Sequence, residues 1–464
     1  MNATIQFLEF IYEKISEITA WLWGLPLLIL LIAGGLSLTI ILGGIQFKKL
    51  GFIFKHTLGE ALNKDKKEYN GEISPLQGMI AALSATVGTG NIVGVGAAIA
   101  VGGPGALFWI WVSGFLAMAI KFSEVTMSCK FRRKIGDGYK GGPYMYIRDG
   151  LNSKFFATFF SIMMLICMTV ICGLHSSSIT SNLKVLGVPS YASAIVMIVF
   201  LALIIWGGMK SLVKITDKMV PIMSFLYVAI ALIVIIKNIG NAGEVFASIF
   251  KGAFSGTAAA GGFAGATLMH TVRFGLARGV FSNDAGLGLS ASVQAQVENI
   301  GHPAKQGMGA IVETFIDTIV LCTLSGLVVL FTGVWQTGGD GSTYAVTAFG
   351  NQIGHIGTIL GILCLFLFGL SSLITDAQGA KIQAVNMFNS PKIGTAFQMA
   401  IIVLVIFGSM TDISKTFMFV DFSNAIILLI NVSSLLLLHK VLRKTTKEWF
   451  DSDGDLSKIK NELN

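Results

Sequence analysis

The stretch TVGTGNIVGVG, residues 86–96, decides how this chain folds. It places Gly88, Gly90, Gly94 and Gly96 within eleven positions, and apolar sequence continues on both sides. Glycine is among the poorest helix formers and costs about 1 kcal/mol relative to alanine inside a helix. An apolar segment that weakens its own helix at mid-length indicates a helix that is interrupted there.

The composition indicates an integral membrane protein. Hydrophobic residues make up 53% of the 464 residues and charged residues only 12%, whereas a soluble protein has about 25% charged residues. Apolar runs of about 20 residues, long enough to cross a bilayer as helices, recur along the chain. We therefore predict an all-α protein with eleven transmembrane helices. The predicted spans are 21–43, 76–101, 104–128, 155–174, 190–208, 216–237, 252–275, 307–332, 354–375, 394–412 and 417–439.

The positive charges follow an alternating pattern that indicates the orientation in the membrane. Of the 33 Lys and Arg residues, 27 lie in every second connection and in the C-terminal tail, five lie in the other connections, and Lys121 lies within a span. Cytoplasmic connections carry the basic excess in membrane proteins. The N-terminus is therefore predicted outside and the C-terminus in the cytoplasm. The net charge of +8 then reports topology, and we expect no nucleic-acid partner.

The second half of the chain has its own glycine-interrupted span. When the first span is set aside, the other ten divide into five plus five, and the two halves open with spans of opposite direction. The second half opens with a span that contains GTAAAGGFAGAT, residues 256–267. Paired broken helices in inverted halves indicate the binding site of a secondary transporter. The expected regions are an N-terminal segment with an extra helix (1–75), a first repeat (76–240), a second repeat (250–440) and a cytoplasmic tail (441–464).

A broken helix has a chemical consequence in the membrane. Unwound backbone exposes amides and carbonyls that must meet an ion, a ligand or water. The amides begin a half-helix whose positive dipole end suits a carboxylate, and the carbonyls suit a hard cation. We expect the glycines to supply unusual φ angles and close approach. Close helix packing, as at Gly261 and Gly265, is the alternative, although the oxygens of Thr86, Thr89 and Asn91 favour a binding site.

Five sequence blocks resemble the alanine or glycine:cation symporter family of the amino acid–polyamine–organocation superfamily. The resemblance implies a LeuT-like fold of two inverted five-helix repeats plus an extra N-terminal helix, in the inner cell membrane of a prokaryote. It also implies Na⁺-coupled import of a small neutral amino acid, alanine or glycine, with no enzymatic activity and no organic cofactor. The blocks are GGPGALFWIWVSGFLAMAIKFSE (102–124), GTGNIVGV (88–95), GGPYMYI (141–147), GVFSNDAGLG (279–288) and ETFIDTIVLCTLSG (313–326).

The resemblance also assigns residues to the substrate and to two sodium sites. It implies that backbone amides of Gly88, Thr89 and Gly90 hold the substrate carboxylate, and that a first sodium ion lies beside them. The expected ligands of the first sodium ion are Asn91 and the carbonyl of Thr86. The expected ligands of the second are the carbonyls of Ser84 and Val87 and the hydroxyls of Ser371 and Ser372. For the two serines, back-bonding to their own helix is the alternative.

Three positions depart from the family pattern where the pocket is expected. They are His175, which begins His-Ser-Ser-Ser, Arg273, which precedes Phe274, and Asp376, which lies in Thr-Asp-Ala-Gln-Gly. A larger or more polar substrate such as glutamine, or proton coupling, is therefore an alternative. Arg273 and Asp376 either pair with each other, contact a polar substrate side chain, or lie solvated at the cytoplasmic boundary. The same choice between pocket and boundary applies to His175. The expected substrate-binding residues are Gly88, Thr89, Gly90, Asn91, His175, Phe274 and Asp376.

Other charged residues fall inside predicted spans. Glu313 and Asp317, four residues apart, form either a buried structural pair or part of a cation path. Lys121 and Glu124 are expected to form a charge pair at a helix end. No H-E-x-x-H, G-x-S-x-G or P-loop motif occurs, and Val93 replaces the last glycine of G-x-G-x-x-G, which argues against a membrane enzyme. Amino acid and lipid are the expected partners, and the oligomeric state is left open.

Overall fold

The computed structural model describes residues 2–59, 73–135, 138–205, 208–255, 268–411 and 413–459. These parts of the chain are almost entirely helical. The longer helices are α1 (Asn2–Leu22), α2 (Leu25–Ile41), α3 (Pro75–Thr86), α4 (Gly90–Gly102), α5 (Gly105–Lys130), α6 (Lys154–Leu183), α7 (Ser190–Ile205), α8 (Gly208–Lys237), α9 (Ala242–Ser255), α10 (Leu268–Asn283), α11 (Leu289–Gln294), α12 (Pro303–Phe331), α13 (Tyr344–Ile353), α14 (His355–Phe388), α15 (Pro391–Met410), α16 (Ile413–Leu437) and α17 (His439–Asp451).

Shorter elements connect these helices. An antiparallel hairpin of β1 (Arg133–Ile135) and β2 (Gly138–Lys140), in which Arg133 pairs with Lys140, follows α5. The short helical turns are Ile45–Lys48, Leu50–Phe54, Lys55–Gly59, Pro143–Met145, Tyr146–Gly150, Lys184–Leu186, Ile239–Asn241, Val334–Thr337, Gly341–Thr343 and Leu456–Lys458.

Every predicted span overlaps one or more of these helices, but the described residues do not establish eleven membrane crossings. Eight helices among them are long and apolar enough to span a bilayer, and a ninth results if α3 and α4 are taken together. The number eleven stays a prediction because α7 is a shorter apolar helix and because the span predicted at 252–275 includes residues 256–267. The second predicted interruption therefore lies outside the described residues.

The first predicted interruption is present. α3 begins with a capping box, in which the Ser74 hydroxyl accepts from the Gln77 backbone N–H and the Gln77 side chain accepts from Ser74. α3 ends at Thr86, and α4 continues after a bend of 48°. Its first residues, Gly90–Gly94, form a wider π-helical turn. π-Helical turns are rare in proteins overall, and those that occur are frequently found at functional sites.

The bend lies in the interior of the helix bundle. α3 contacts α8, α11, α12 and α14, and α4 contacts α5 and α10. α6 packs along α14, α15 and α16, so that α6 and α14 form one wall beside the bend. The broken segment is therefore surrounded by protein, the condition under which irregular backbone is tolerated at membrane depth.

Two helices extend well beyond the spans predicted for them. The spans 155–174 and 354–375 belong to α6 and α14, which end at Leu183 and Phe388. These extensions change the setting of His175 and Asp376, which lie inside long helices and are buried. The alternative that they lie solvated at the membrane boundary is therefore wrong.

Candidate functional site

The side chain of Asn91 holds the two halves of the broken helix in place. Val87 directly follows the end of α3, and its backbone N–H still donates to the Leu83 carbonyl. The next backbone N–H, that of Gly88, donates to Asn91 Oδ1 at 2.8 Å. The backbone N–H of Asn91 in turn donates to the Gly88 carbonyl at 3.3 Å. Asn91 thus satisfies the Gly88 amide, which in this geometry is not open to a carboxylate. The amides of Thr89 and Gly90 follow at the start of the half-helix, where N–H groups lack intrahelical partners.

The glycines at the bend allow close contact and not unusual backbone angles. None of Gly88, Gly90, Gly94 and Gly96 has a positive φ, so the expectation of special φ angles is wrong. A Cβ atom on Gly88 would lie 2.1 Å from Ser372 Oγ, and one on Gly96 would lie 2.2 Å from a backbone carbonyl oxygen. Neighbouring helices therefore pack directly against the backbone of the broken segment.

Oxygen atoms from α3 and α14 converge at the bend. The Ser371 hydroxyl donates to the Val87 carbonyl at 3.3 Å, and the Ser372 hydroxyl is 3.4 Å from the Ser84 carbonyl and 3.1 Å from the next carbonyl. The Thr375 hydroxyl adds a contact of 2.7 Å to Ser84 Oγ. All five residues are buried. Ser371 also back-bonds to its own helix at 2.8 Å, as the alternative for this serine expects, and its role as a sodium ligand stays a prediction.

This donor set fits a hard cation. Backbone carbonyls and hydroxyls are neutral oxygen ligands of the kind that hard cations prefer. The four residues predicted for the second sodium site, Ser84, Val87, Ser371 and Ser372, come within hydrogen-bond distance across two helices. Thr375 is an additional hydroxyl that sequence reasoning missed, although its spacing of four residues from Ser371 places it on the same helix face.

A second polar cluster surrounds the carboxyl group of Asp317 in α12. Asn91 Nδ2 donates to Asp317 Oδ1 at 2.7 Å, and the hydroxyls of Ser282 and Thr318 donate to Asp317 Oδ2 at 2.9 and 2.8 Å. Asp317 is fully buried, and these hydrogen bonds all come from neutral groups. The cluster therefore places a buried carboxyl group next to Asn91, one of the residues predicted for the first sodium site.

Thr86, the other residue predicted for that site, leads to a buried ion pair. Its hydroxyl lies 3.4 Å from Glu313 Oε1. Lys121 Nζ lies 2.6 Å from the same oxygen, and neither charged side chain is exposed. Gln294 donates to the other Glu313 oxygen at 2.9 Å. Lys121 and Glu313 thus link α5, α12 and α11 directly behind the bend.

The predictions for the four charged residues in the spans need correction. Lys121 and Glu124 do not form a charge pair at a helix end, because both are buried and Lys121 pairs with Glu313. Glu124 instead accepts hydrogen bonds from the backbone N–H of Gly286 and from a buried asparagine. Glu313 and Asp317 are both buried, but each has its own partners.

A third polar group connects Thr89 to α6 and α14. His175 Nδ1 lies 2.8 Å from Thr89 Oγ1, and His175 Nε2 lies 2.9 Å from Asp376 Oδ2. A Cβ atom on Gly88 would lie 3.7 Å from the imidazole carbon Cε1. His175 and Asp376 are thus brought together with the segment predicted to bind the substrate carboxylate, as the pocket interpretation expects.

The structure does not bring Arg273 and Phe274 to this group. The proposed Arg273–Asp376 pair is wrong, because Asp376 pairs with His175. The Arg273 guanidinium lies 5.5 Å from the centroid of the Phe274 ring. The aromatic ring in contact with the broken segment is that of Phe281, two turns further along α10, which a Cβ atom on Gly90 would approach to 3.1 Å.

The comparisons with known proteins identify the family of the chain. A family model described as the sodium:alanine symporter family matches residues 8–461. A transporter of Bacillus subtilis described as uncharacterized, YflA, is 35% identical over 444 residues, which cover 95% of this chain and 93% of that protein. The sodium/alanine symporter AgcS of Methanococcus maripaludis is 31% identical, covering 93% of this chain and 96% of that protein. The probable sodium/glutamine symporter GlnT of Bacillus subtilis is 30% identical, covering 96% and 91%.

A solved structure supports the fold alone. The crystal structure of MhsT in complex with L-phenylalanine matches with a TM-score of 0.57 and 16% identity, over 84% of this chain and 93% of that chain. The structural neighbours of the chain are transporters of the LeuT fold. With the broken helix, the buried oxygen clusters and a family match along nearly the whole chain, the protein belongs to the sodium:alanine symporter family.

Proposed function

We propose that this protein imports a small neutral amino acid together with Na⁺ by alternating access. The observation that carries the proposal is the convergence of Ser84, Val87, Ser371 and Ser372 at the bend, where fully buried oxygens from two helices approach one another. These oxygens are now hydrogen-bonded across the two helices. A sodium ion would take the place of the hydroxyl protons between them and would hold α14 against the broken helix.

The substrate carboxylate is proposed to bind at the start of α4. The amides of Thr89 and Gly90 and the positive end of the half-helix dipole favour a negative group there. A nearby sodium ion would add to this attraction, because electrostatic interactions are stronger away from bulk water. Relatives named for alanine and for glutamine support a neutral amino acid, with alanine or glycine as the first substrates to test and glutamine as the alternative.

A first sodium ion is proposed beside the substrate, with Asn91 and the Thr86 carbonyl as ligands. Asp317 is a further candidate ligand because it contacts Asn91 and carries a negative charge that a cation would balance. In the described structure Asn91 Oδ1 accepts from Gly88. Ion binding at Asn91 would therefore compete with that hydrogen bond and would release the Gly88 amide toward the substrate.

We further propose two inverted repeats at 76–240 and 250–440, an extra N-terminal helix, and a cytoplasmic C-terminus. The distribution of Lys and Arg supports the orientation. The orientation is tested by substituting Lys184→Cys or Lys458→Cys and labelling intact cells with a maleimide that does not cross the membrane. Both lysine side chains are exposed, and all five native cysteines are buried. Labelling of Lys184→Cys alone is expected, and labelling of Lys458→Cys alone would reverse the orientation.

The function is tested by measuring the thermal stability of the purified full-length protein with each amino acid in Na⁺ or in K⁺. A ligand that binds only the folded state raises the melting temperature. We expect a small neutral amino acid to raise it in Na⁺ and to have no effect in K⁺. Equal stabilisation in both salts would refute sodium coupling, and the absence of stabilisation by any amino acid would refute the substrate class.

The sodium ligands are tested in the same assay by Ser372→Ala. Loss of one oxygen ligand is expected to raise the Na⁺ concentration for half-maximal stabilisation by about tenfold. Ser434→Ala is the matched control, because within the described parts of the chain Ser434 donates only to the carbonyl four residues before it, in α16. An equal effect of the two substitutions would show that Ser372 acts as an ordinary helix serine.

A further inference from the structure

We propose that Asp376, positioned by His175, accepts a hydrogen bond from the side chain of the substrate. The transporter would then prefer amino acids whose side chains end in a neutral donor, a hydroxyl or an amide, over apolar amino acids of the same shape. This inference rests on the proposed function, because it assigns the substrate class of the same site.

The first observation is an oxygen that accepts no hydrogen bond, on a side chain that is largely buried. The Asp376 side chain is 2% exposed, and its Oδ2 atom lies 2.9 Å from His175 Nε2. The other oxygen, Oδ1, accepts no hydrogen bond from any residue in the described parts of the chain. This oxygen is not one of the fully enclosed polar atoms that lack a partner, so it keeps some accessible surface and a small donor group can reach it.

The second observation is where this oxygen lies. Asp376 follows Ser372 by four residues, so both side chains lie on the same face of α14. Ser372 approaches the backbone at Gly88, and His175 connects Asp376 to Thr89. The imidazole ring of His175 therefore lies between the Asp376 carboxyl group and Thr89, whose amide is proposed to hold the substrate carboxylate. A substrate anchored there would direct its side chain toward surrounding helices, of which α14 is one.

His175 fixes the orientation of the carboxyl group. A carboxylate can only accept hydrogen bonds, so the nitrogen that faces Asp376 carries a proton. The Nδ1 atom of a neutral imidazole then accepts from the Thr89 hydroxyl at 2.8 Å. With both ring nitrogens engaged, His175 holds Asp376 Oδ2 and leaves Oδ1 as the free acceptor. His175 is in this sense a positioning residue.

The site favours a neutral donor over a cationic one. The proposed sodium ion lies near Ser372, one helical turn from Asp376. A lysine-like side chain would place a second positive charge close to that ion, and like charges repel strongly where water is excluded. A hydroxyl or an amide supplies the missing hydrogen bond without this repulsion. Discrimination arises because an apolar side chain would cover this acceptor without supplying a hydrogen bond.

The test compares amino acids of nearly the same shape on the purified full-length protein in saturating Na⁺. L-Serine and L-2-aminobutyrate differ by a hydroxyl in place of a methyl, and L-glutamine and L-methionine differ by a terminal amide. We expect the donor-bearing member of at least one pair to bind about tenfold more tightly, and equal affinities within both pairs would overturn the inference. Binding of alanine in Na⁺ but not in K⁺, measured in parallel, shows whether the proposed function itself holds.

Variants assign the preference to Asp376. Asp376→Leu, which removes both carboxyl oxygens, is expected to bring the affinity ratio of the discriminating pair close to one. Asp376→Asn, which retains the shape, is expected to reduce the ratio at least threefold. The matched control is Asp421→Asn, which alters a carboxyl group paired with Arg278 and should leave the ratio unchanged.

The affinity ratio of the discriminating pair does not depend on the amount of folded protein, so it can be compared between variants. An unchanged ratio in Asp376→Asn would overturn the inference. If Asp376→Asn retains a cooperative melting transition but its affinity for all amino acids falls by the same factor, Asp376 binds the α-ammonium group that they share. The assignment to the substrate side chain would then be wrong.

Discussion

Gly88 has no space for a side chain because the backbone of the broken helix lies directly against α14. A Cβ atom there would approach Ser372 Oγ to 2.1 Å, whereas one on Gly94 would meet Phe281 only at 3.6 Å, an ordinary van der Waals distance. Two glycines of the same motif thus have different reasons to be present. Gly88 keeps the oxygen cluster compact, and Gly94 lies in a turn that has room for a methyl group.

This difference gives a prediction for two variants. Gly88→Ala is expected to displace Ser372 and to abolish the Na⁺-dependent stabilisation by amino acids, because the added methyl occupies the position of the hydroxyl. Gly94→Ala is the matched control in the same segment, and we expect its half-maximal Na⁺ concentration to stay within about threefold of the wild-type value. The measurement is the melting temperature as a function of Na⁺ at fixed substrate. A Gly88→Ala protein that still responds to Na⁺ would contradict the role of this contact.

Single residues also show where sequence reasoning succeeds and where it stops. The bend itself was predictable because poor helix formers and small polar residues cluster at residues 86–96. The contacts of Asp317 were not, because they depend on the register of α12, which widens into a π-helix over Phe315–Cys322. A spacing of four residues from Glu313 suggests a shared helix face, but the wider turn rotates Asp317 toward Asn91. Nothing in the local sequence indicates that change of register.

At the scale of elements, hydropathy located the helices well and their ends poorly. The apolar windows of α6 and α14 end near residues 174 and 375, yet both helices continue for nine or more residues. The extension of α14 contains Ala377, Gly379 and Ala380, which are buried against protein. A segment in contact with protein has no need of lipid-like hydropathy, so its composition does not reveal the helix. For this reason His175 and Asp376 could be predicted as candidates, but not as partners.

The ion pair between Lys121 and Glu313 connects the elements behind the bend. Lys121 in α5 also donates to the Asn283 carbonyl at the end of α10, at 2.8 Å. Removing one member of a buried pair leaves an uncompensated charge and costs about 3–5 kcal/mol. Because both side chains are fully buried, the full penalty is expected here.

We therefore predict that Lys121→Met and Glu313→Gln each lower the melting temperature of the purified protein strongly. The double variant is expected to lose less than the sum of the two, since it removes both charges at once. Lys14→Met serves as the matched control, because Lys14 pairs with Glu17 on an exposed helix face and its removal should leave the melting temperature unchanged. A Lys121→Met protein as stable as Lys14→Met would show that the buried pair contributes little.

At the scale of the whole molecule, α17 near the C-terminus packs against the helix bundle and contacts His302. α17 packs against α2, α5, α12 and α16 and buries Trp449. The ring of His302, which caps the start of α12, stacks on Trp449 with centroids 5.5 Å apart. His302 Nδ1 accepts from the backbone N–H of Ala304 at 3.2 Å. To accept this hydrogen bond, Nδ1 must carry no proton, so the imidazole must be neutral.

The pH dependence of this contact provides a last prediction. Burial, with a smaller contribution from Lys130, lowers the pKa of His302 from 6.5 to about 4. Glu448, 3.9 Å from His302 Nε2, acts in the opposite direction, but its side chain is 31% exposed, so water screens its charge and burial dominates. The unfolded state therefore binds more protons between these two values, so stability is complete above about pH 6.5 and decreases as the pH falls toward 4. The loss from pH 7.5 to pH 5 amounts to roughly 2 kcal/mol. His302→Asn keeps a side chain that caps a helix but does not titrate, so its melting temperature should fall less over that interval than that of the wild type. Parallel decreases in the two proteins would show that groups other than His302 dominate the acid response.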